Sequence, residues 1–372
     1  MSEPFFEVTA TDPATRARAG RVHTPHGLVE TPAFLPVGTL GTVKGLTQET
    51  LEELGAQIIL ANTYHLYLRP GHERIRRLGG LHRFISWPHS ILSDSGGFQV
   101  FSLAALRRVS DEGVAFRSHL DGSEHFFTPE FALDVQAALG SDLVMPLDEC
   151  TEYPAGRERA RQSMELTLRW AQRSRSHWRA QGSSGALFGI VHGSTYADLR
   201  SESARRTVEL DLSGYAVGGL SVGEPRSLTY EMVDAVEPHL PRDRPRYVMG
   251  VGLPEELTQY VALGADMMDC VLPTRNARNG MLFTSQGRLI IRHTRYADDQ
   301  GPADENCGCP VCRRYSRAYL RHLFLSGEML ASVLNTIHNL HFYLDTMRKI
   351  RQAIAVGTPL SSLLSSVPEA EA

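Results

Sequence analysis

The sequence predicts one (β/α)8 barrel, the TIM-barrel class of α/β protein, carrying two insertions. Eight short apolar runs recur along the 372 residues at spacings typical of strands separated by helices. Each run is apolar throughout, as expected for parallel strands buried on both faces. The length fits a barrel of this kind, although two average domains would fit it too. The predicted strands are 33–37, 57–61, 91–94, 142–147, 186–191, 215–218, 247–251 and 267–272.

Helical patterns occupy most of the intervals between these strands. The last of them begins with Pro254 and Glu255, which suit a first helical turn. No internal repeat or linker marks a second independent domain. The predicted helices are 157–181, 198–210, 227–240 and 254–263.

Two segments interrupt the repeat. Residues 98–130 follow the third strand and contain an alternating stretch with a turn at Asp121-Gly122, which predicts an inserted hairpin. Residues 275–339 separate the last strand from the last helix and include a cysteine cluster, so we expect a zinc-binding subdomain there. Its helical pattern continues from about 317 to 355, with a break at Gly327. We expect residues 1–274 and 340–360 to form the barrel, and 361–372 a loosely ordered tail.

The composition is that of an ordinary globular protein, with 42% hydrophobic and 22% charged residues, which excludes disordered and collagen-like chains. No run approaches the ~20 apolar residues of a membrane span, and acidic residues near the start argue against a signal peptide, so we expect a cytoplasmic protein with no membrane contact. The net charge is −4, yet residues 271–351 hold eleven Arg and one Lys against six acidic residues. In this region Arg275 and Arg278 can meet phosphates or bases, although surface arginines are often only solvated.

Polar residues follow several predicted strands, at the end of the barrel where the active sites of this fold lie. Asp94 in SDSGGFQ, Asp148 in PLDEC and Asp269 in DCVLP would meet at one mouth, joined by His192. Any one Asp can equally be a helix cap or an arginine partner. Together they can be metal ligands, an acid/base pair, or a nucleophile with a helper. The first strand ends in LPVG rather than in two histidines, which argues against a catalytic metal and favours the cleavage of glycosidic bonds.

Glycines at the same strand ends indicate a slot for a flat ligand. Gly218-Gly219 and Gly250 let the backbone approach a ligand closely, and Phe98 and Met249 can cover its two faces. Tight turns and core packing would explain these residues equally well. No GxxxxGK[ST] phosphate-binding loop is present.

Cys307, Cys309 and Cys312 fall within six residues, a spacing that suits a metal site better than a disulfide framework. We expect one structural zinc ion with four protein ligands, and an iron–sulfur cluster or a redox role are the alternatives. Cys150 and Cys270 are interpreted as buried small hydrophobes. Three histidines are candidates for the fourth ligand: His322, His338 and His341.

Motifs spread over residues 5–355 resemble, in the same order, those of the tRNA-guanine transglycosylases. This resemblance implies a (β/α)8 barrel with a zinc subdomain. It also implies exchange of the wobble guanine of GUN-anticodon tRNAs for a 7-deazaguanine base through a covalent RNA–enzyme intermediate. The motifs are SDSGGFQ, MPLDEC, FGIVHG, AVGGLSVGE, MGVG, DCVLPTRNARNG, and CxCxxC followed by TIHNL.

The resemblance also implies roles for individual residues. Asp269 would attack the ribose anomeric carbon, and Asp94 would handle the ring proton of the base. The base edge would contact Asp148 and the backbone of Gly219 and Leu220. The remaining implied residues are Phe98, Met249 and Gly250 around the base, Arg275 and Arg278 on the flanking nucleotides, and Cys307, Cys309, Cys312 and His338 on zinc.

The sequence departs from the family at one contact, because Val191-His192-Gly193 stands where the family has VQG. Imidazole offers one donor and one acceptor in a geometry different from that of an amide. We expect base binding to become sensitive to pH near 6–7.

Cys150 and the SVGE at 221–224 resemble the bacterial branch, which takes 7-aminomethyl-7-deazaguanine and forms homodimers. Two other functions stay open at this point. A non-catalytic tRNA-binding subunit would not need the three carboxylates, and a zinc-dependent barrel hydrolase would need a metal at the mouth.

Overall fold

The computed structural model describes residues 4–103 and 107–360, and the tail predicted at 361–372 lies outside these residues. The chain begins with an antiparallel sheet that the sequence interpretation missed, formed by β1 (Phe6–Thr11), β2 (Arg18–Thr24) and β3 (Gly27–Thr31). Phe6, Val22 and Val29 of this sheet pack with the residues that fill the barrel interior. The sheet therefore covers the amino-terminal end of the barrel.

Eight parallel strands close into a barrel, as predicted. The strand predicted at 142–147 is paired over only two residues. Gln136 explains this, because its amide side chain bonds both the N–H and the C=O of Met145, and Pro146 has no N–H to offer. The barrel strands are β4 (Ala33–Gly38), β5 (Ile58–Ala61), β6 (Ser90–Ser93), β10 (Leu143–Val144), β11 (Ala186–Val191), β12 (Gly214–Val217), β13 (Arg246–Val248) and β14 (Met267–Cys270).

The insertion after the third barrel strand contains the predicted hairpin and one more strand. Strands β7 (Arg107–Val109), β8 (Val114–Arg117) and β9 (Glu124–Phe127) form an antiparallel sheet, with the predicted turn at Asp121-Gly122 joining the last two.

Helices surround the barrel, and the four predicted helices are found within four residues of their expected bounds. The predicted helix 227–240 ends earlier, and a 3-10 turn at Glu237–His239 replaces its last part because Pro238 cannot continue the hydrogen bonding. The helices up to the last barrel strand are α1 (Gln48–Glu53), α2 (Thr63–Leu68), α3 (His72–Arg77), α4 (Gly80–Ile85), α5 (Gly97–Leu103), α6 (Pro129–Leu139), α7 (Arg157–Gln181), α8 (Ala197–Val208), α9 (Arg226–Val236) and α10 (Pro254–Ala262).

The segment after β14 builds the second insertion. It consists of α11 (Leu272–Arg278), a hairpin of β15 (Met281–Thr284) and β16 (Gly287–Ile290), a 3-10 turn at Thr294–Tyr296, the cysteine-rich loop, α12 (Arg317–Leu325) and α13 (Met329–Ala355). The predicted break between the two helices lies at Gly327, which has φ +69°. Helix α13 packs on the cysteine-rich loop through Leu334 and on the barrel through Tyr343.

Candidate active site at the carboxyl ends of the barrel strands

Asp269 lies near the end of β14 and receives two hydrogen bonds on the same oxygen. Tyr247 donates its hydroxyl to Oδ1 at 2.5 Å, and the N–H of Gly250 donates to Oδ1 at 2.9 Å. No donor among the described residues reaches Oδ2 within hydrogen-bond distance. Burial raises the pKa of Asp269, and the two donors oppose that shift. The arrangement orients the carboxyl and leaves one oxygen available to attack a ligand.

Asp94 follows β6 and faces the same mouth. The amide of Asn62 donates to Oδ2 at 2.5 Å, and the N–H of Thr63 donates to Oδ1 at 2.9 Å. Burial raises the pKa of Asp94 to about 7, with the charges of Asp269 and Asp148 adding to the shift and the donor of Thr63 opposing it. A carboxyl group with this pKa can both give and take a proton near neutral pH.

Asp148 and His192 form a buried pair beside these two carboxylates. An ionised carboxylate only accepts hydrogen bonds, so the Nε2–H of His192 donates to Asp148 Oδ2 at 2.8 Å. Ser95 donates to Oδ1 at 3.1 Å, which fixes the other oxygen. A side chain on Gly97 would have its Cβ 2.7 Å from the carbonyl oxygen of Asp148, so only glycine fits against this pair.

The double glycine after β12 lies directly against the His192 ring. Gly219 has φ +62°, and a Cβ built on it would be 2.7 Å from His192 Nδ1. Behind the strand ends, the fully buried Arg200 donates to the carbonyl oxygens of Ser194, Val191 and Gly218 at 2.8–3.2 Å. Burial lowers the pKa of Arg200 to about 10, which still leaves it charged at neutral pH. The guanidinium thus fixes the backbone conformation on both sides of His192 and at the double glycine.

Apolar side chains line the rest of the mouth. Phe98 is exposed, whereas Met249 is half-buried and its sulfur lies 3.3 Å from a Cβ built on Gly218. Leu220 and Cys150 are buried, as predicted for Cys150. Burial, reinforced by the charge of Asp148, raises the pKa of Cys150 to about 12, so its thiol stays neutral.

Arg275 and Arg278 lie on α11, immediately after the strand that carries Asp269. Arg275 is exposed, and Arg278 is half-buried and donates to the carbonyl oxygen of Thr274 at 2.7 Å. Partial burial and the neighbouring Arg275 lower the pKa of Arg278. Both lie at the rim of the mouth, and the exposed Arg275 side chain has no acidic partner among the described residues.

The three cysteines of the second insertion converge on His338, and Cys307 also lies 3.5 Å from Nδ1 of a second candidate, His341. The sulfurs of Cys309 and Cys312 lie 3.6 and 3.2 Å from His338 Nδ1. The opposite nitrogen, Nε2, donates to the carbonyl of Phe283 at 2.8 Å, so Nδ1 points a lone pair at the sulfurs. With Cys307, these four ligand atoms lie within 4.8 Å of one another. Three thiols and one imidazole form a complete set of four ligands for tetrahedral zinc, with no coordination position left for water or a substrate.

The structure brings together Asp94, Asp148, His192 and Asp269, and adds residues that sequence reasoning missed. The sequence places Tyr247 in the predicted strand 247–251 and Arg200 in the predicted helix 198–210, and indicates no further role for either. Asn62 follows β5, so the strand-end argument that found the carboxylates could have found it. Gln99, in the SDSGGFQ motif, has a buried Oε1 without a partner among the described residues.

Comparison with known proteins identifies the family. The family profile described as queuine tRNA-ribosyltransferase matches residues 12–364. The chain belongs to this family. Relatives named queuine tRNA-ribosyltransferase include those of Koribacter versatilis (62% identical, covering 98% of this chain and 97% of the relative) and Solibacter usitatus (61% identical, covering 96% of both). A third, from Desulforudis audaxviator, is 60% identical and covers 94% of both chains.

Membership confirms that the chain is an enzyme that transfers pentosyl groups, and it supports the predicted link to tRNA modification in queuosine synthesis. The alternative of a zinc-dependent hydrolase loses its basis, because the groups of three potential metal ligands found in the described residues lie away from the mouth. No helix within residues 4–103 and 107–360 is long and apolar enough to cross a membrane.

Proposed function

We propose that the protein exchanges the wobble guanine of tRNAs with GUN anticodons (Asp, Asn, His and Tyr) for 7-aminomethyl-7-deazaguanine, through a covalent tRNA–aspartate intermediate. The observation that carries this proposal is the environment of Asp269. Its Oδ1 is held by Tyr247 and Gly250, and its Oδ2 receives no donor from the described residues. A carboxylate fixed in this way is suited to nucleophilic attack.

In the first step, Asp269 Oδ2 attacks C1′ of the ribose of nucleotide 34. The C1′–O bond forms while the C1′–N9 bond breaks, and the bonding electrons leave with the guanine. In the second step, the ring nitrogen of the incoming base attacks C1′ and displaces the aspartate. Burial favours this chemistry, because a partly desolvated carboxylate is a better nucleophile than a hydrated one.

Asp94 balances the protons of the two steps. In its acid form it protonates the departing guanine, and in its ionised form it removes the ring proton of the incoming base. The pKa of about 7 supports both roles, because each form is well populated at neutral pH. Asn62 and Thr63 hold the carboxyl group by its two oxygens, which keeps it directed into the mouth.

The remaining mouth residues bind the base. Asp148 accepts from its edge, the backbone of Gly219 and Leu220 bonds its other polar atoms, and Phe98 and Met249 cover its faces, with Gly250 beside them. His192 already uses its Nε2–H on Asp148, so its role is to orient that carboxylate and to border the slot. Gln99 offers a free buried acceptor to the same ligand.

Arg275 and Arg278 contact the anticodon nucleotides that flank the flipped base. Flipping is necessary because the glycosidic carbon cannot be reached inside a stacked loop. The charged rim of α11, directly beyond Asp269, supports this placement. One protomer of a homodimer would carry out the chemistry while its partner helps to hold the tRNA.

Cys307, Cys309, Cys312 and His338 bind one structural zinc ion. The ion would stabilise the insertion of residues 275–339 by joining the cysteine-rich loop to α13. It takes no part in the exchange reaction. Cys150 and Val222, the second residue of the SVGE segment, line the part of the base slot that selects the small aminomethyl substituent.

The experiment is exchange of radiolabelled guanine into a tRNA with a GUN anticodon, followed by separate chases with unlabelled 7-aminomethyl-7-deazaguanine and with queuine. We expect label to enter, and only the aminomethyl base to remove it. Chase by queuine alone would refute the bacterial-type selectivity. Failure of label to enter, in a folded zinc-containing protein that binds the tRNA, would favour a tRNA-binding subunit instead.

A further inference from the structure

Two histidines and an aspartate meet at the amino-terminal end of the barrel, outside the site described above. His26 Nδ1 lies 2.7 Å from Asp142 Oδ1, and His82 Nε2 lies 3.0 Å from Asp142 Oδ2. The three ligand atoms lie within 4.8 Å of one another. We call this group the basal His2Asp cluster.

The cluster lies at the opposite end of the barrel from the mouth. Asp142 directly precedes β10, whereas Asp148 comes after it. The N–H of Ile91, near the start of β6, donates to Asp142 Oδ2 at 2.8 Å, whereas Asp94 follows the end of the same strand. Nothing in the proposed exchange reaction uses the cluster.

Three separate elements supply its side chains. His26 stands in the tight turn between β2 and β3, His82 lies on α4, and Asp142 is at the barrel wall. The hydroxyls of Thr24 and Ser90 meet at 2.8 Å beside them. The cluster therefore connects the amino-terminal sheet to the base of the barrel.

The two imidazole rings lie side by side, and each directs a ring nitrogen at the Asp142 carboxylate. The rings stack with centroids 3.5 Å apart and planes 13° apart. Because rings this nearly parallel do not direct their nitrogens at one point, binding of a shared ion requires one ring to rotate from its observed position. A tetrahedral Zn²⁺ with bonds of ~2.0–2.2 Å has ligand atoms roughly 3.3–3.6 Å apart, which falls within the 4.8 Å that bounds the three ligand atoms of the cluster.

Burial and access also suit an open metal site. The Asp142 side chain is 1% exposed and its Oδ2 is fixed by the N–H of Ile91, as outer-shell partners fix metal-binding carboxylates. The His26 side chain is 37% exposed, which gives an ion and its water ligands a path from solvent. Two imidazoles and one carboxylate are a common ligand set for first-row divalent cations.

We propose that the basal His2Asp cluster binds a second divalent cation, with Zn²⁺ or Co²⁺ as the ion it takes up in vitro. The bound ion holds the turn between β2 and β3 against the barrel. It replaces the two hydrogen bonds to Asp142, one from each imidazole, by coordination to three ligands. The cation is separate from the Cys3His zinc and takes no part in base exchange.

The test is metal analysis of the full-length protein after equilibration with Zn²⁺ or Co²⁺ and removal of free ion. We expect wild type to rise from one bound ion per chain to two, and His26→Gln and His82→Gln to stay at one. The second Co²⁺ should give d–d absorption without the sulfur-to-metal charge-transfer band of a thiolate site. Thermal unfolding of wild type should shift upward with added ion, because ligands that bind only the native state stabilise it.

His89→Gln is the matched control, since His89 precedes β6 at the same end of the barrel and contacts Trp87 rather than an acidic residue. This variant should still take up the second ion. A wild-type content that stays at one metal ion per chain would overturn the proposal. The cluster would then be a hydrogen-bonded contact between the turn and the barrel. Equal uptake by His26→Gln and His89→Gln would overturn it as well.

Discussion

Replacing Gly219 with alanine tests whether His192 is held where base binding needs it. A Cβ at this position would lie 2.7 Å from His192 Nδ1, about 0.7 Å inside ordinary van der Waals contact. A ring displaced by that amount cannot keep its 2.8 Å hydrogen bond to Asp148 in good geometry. Asp148 would then lose the donor that orients it toward the base.

The expected size of the effect follows from these contacts. Loss of a hydrogen bond to a charged group costs ~1.5–3 kcal/mol, and each ~1.4 kcal/mol is a factor of ten in affinity. We therefore expect the KM for the base to rise roughly 10- to 100-fold, with a smaller change in the KM for tRNA. The left-handed backbone at Gly219 adds ~1–2 kcal/mol of strain to an alanine, which lowers the stability of the fold.

Gly182→Ala provides the matched control for this strain. Gly182 ends α7 with φ +63°, nearly the same angle, and a Cβ built on it has nothing within 4 Å. This variant should lose similar stability and keep a normal KM for the base. Both variants are compared by thermal unfolding and by guanine exchange at varied base concentration. Equal KM values in the two variants would refute the reasoning that connects Gly219 to base binding through His192.

Four further predictions concern single residues. Asp269→Asn should abolish the covalent RNA adduct on a denaturing gel while tRNA binding persists, and an adduct that remains would falsify the assignment of the nucleophile. Asp94→Asn should slow exchange ~10²- to 10⁴-fold. Because the native pKa of Asp94 is raised to about 7, this carboxyl group destabilises the fold as pH rises from about 4 through 7, so the variant should unfold at a higher temperature than wild type at pH 8 and gain little at pH 4. Cys309→Ser should lose zinc and melt earlier, with loss of activity following, as metal analysis and calorimetry on the same samples can show. His192→Gln should keep the KM for the base close to that of wild type, because an amide N–H can donate to Asp148 Oδ2 as the imidazole Nε2–H does, and a large rise in that KM would contradict the orienting role of residue 192.

The barrel could be predicted because its strands are buried on both faces and therefore appear as uninterrupted apolar runs. The amino-terminal sheet could not, because β1 and β3 mix buried and exposed residues and carry no such run. Their burial depends on the barrel end that they cover, which is a tertiary contact without a local signal. The shortened β10 has the same kind of cause, since Gln136 takes over the hydrogen bonding of Met145.

The carboxylates of the candidate site could be located from sequence because strand ends in a barrel converge by geometry. Two residues that support the site, Tyr247 and Arg200, could not, because each lies on another element and carries no strand-end signal. Tyr247 is 22 residues from Asp269, and Arg200 is 18 residues from the carbonyl of Gly218 that it binds. In the sequence, nothing distinguishes this tyrosine in a strand or this arginine in a helix from residues that make no contact with the site.

The three-dimensional environment also separates aspartates that look alike in sequence. Asp142 and Asp94 both flank barrel strands. Burial alone would raise both pKa values, but hydrogen bonds from His82, His26 and the N–H of Ile91 bring the pKa of Asp142 below its ordinary value. Asp94 receives donors too, yet Asp269 and Asp148 place negative charge beside it and its pKa rises to about 7.

The direction of each shift therefore follows from what the opposite ends of the barrel contain. The closed end surrounds its carboxylate with proton donors, which stabilises the charge and suits a structural role. The open end buries three carboxylates together, so that burial and the charges of Asp269 and Asp148 disfavour the ionised form of Asp94, and its protonation can change during a reaction. The buried Arg200 helps to hold these strand ends in place through its bonds to their carbonyl oxygens, and the raised pKa of Asp94 supports the mouth as the place of the proposed chemistry.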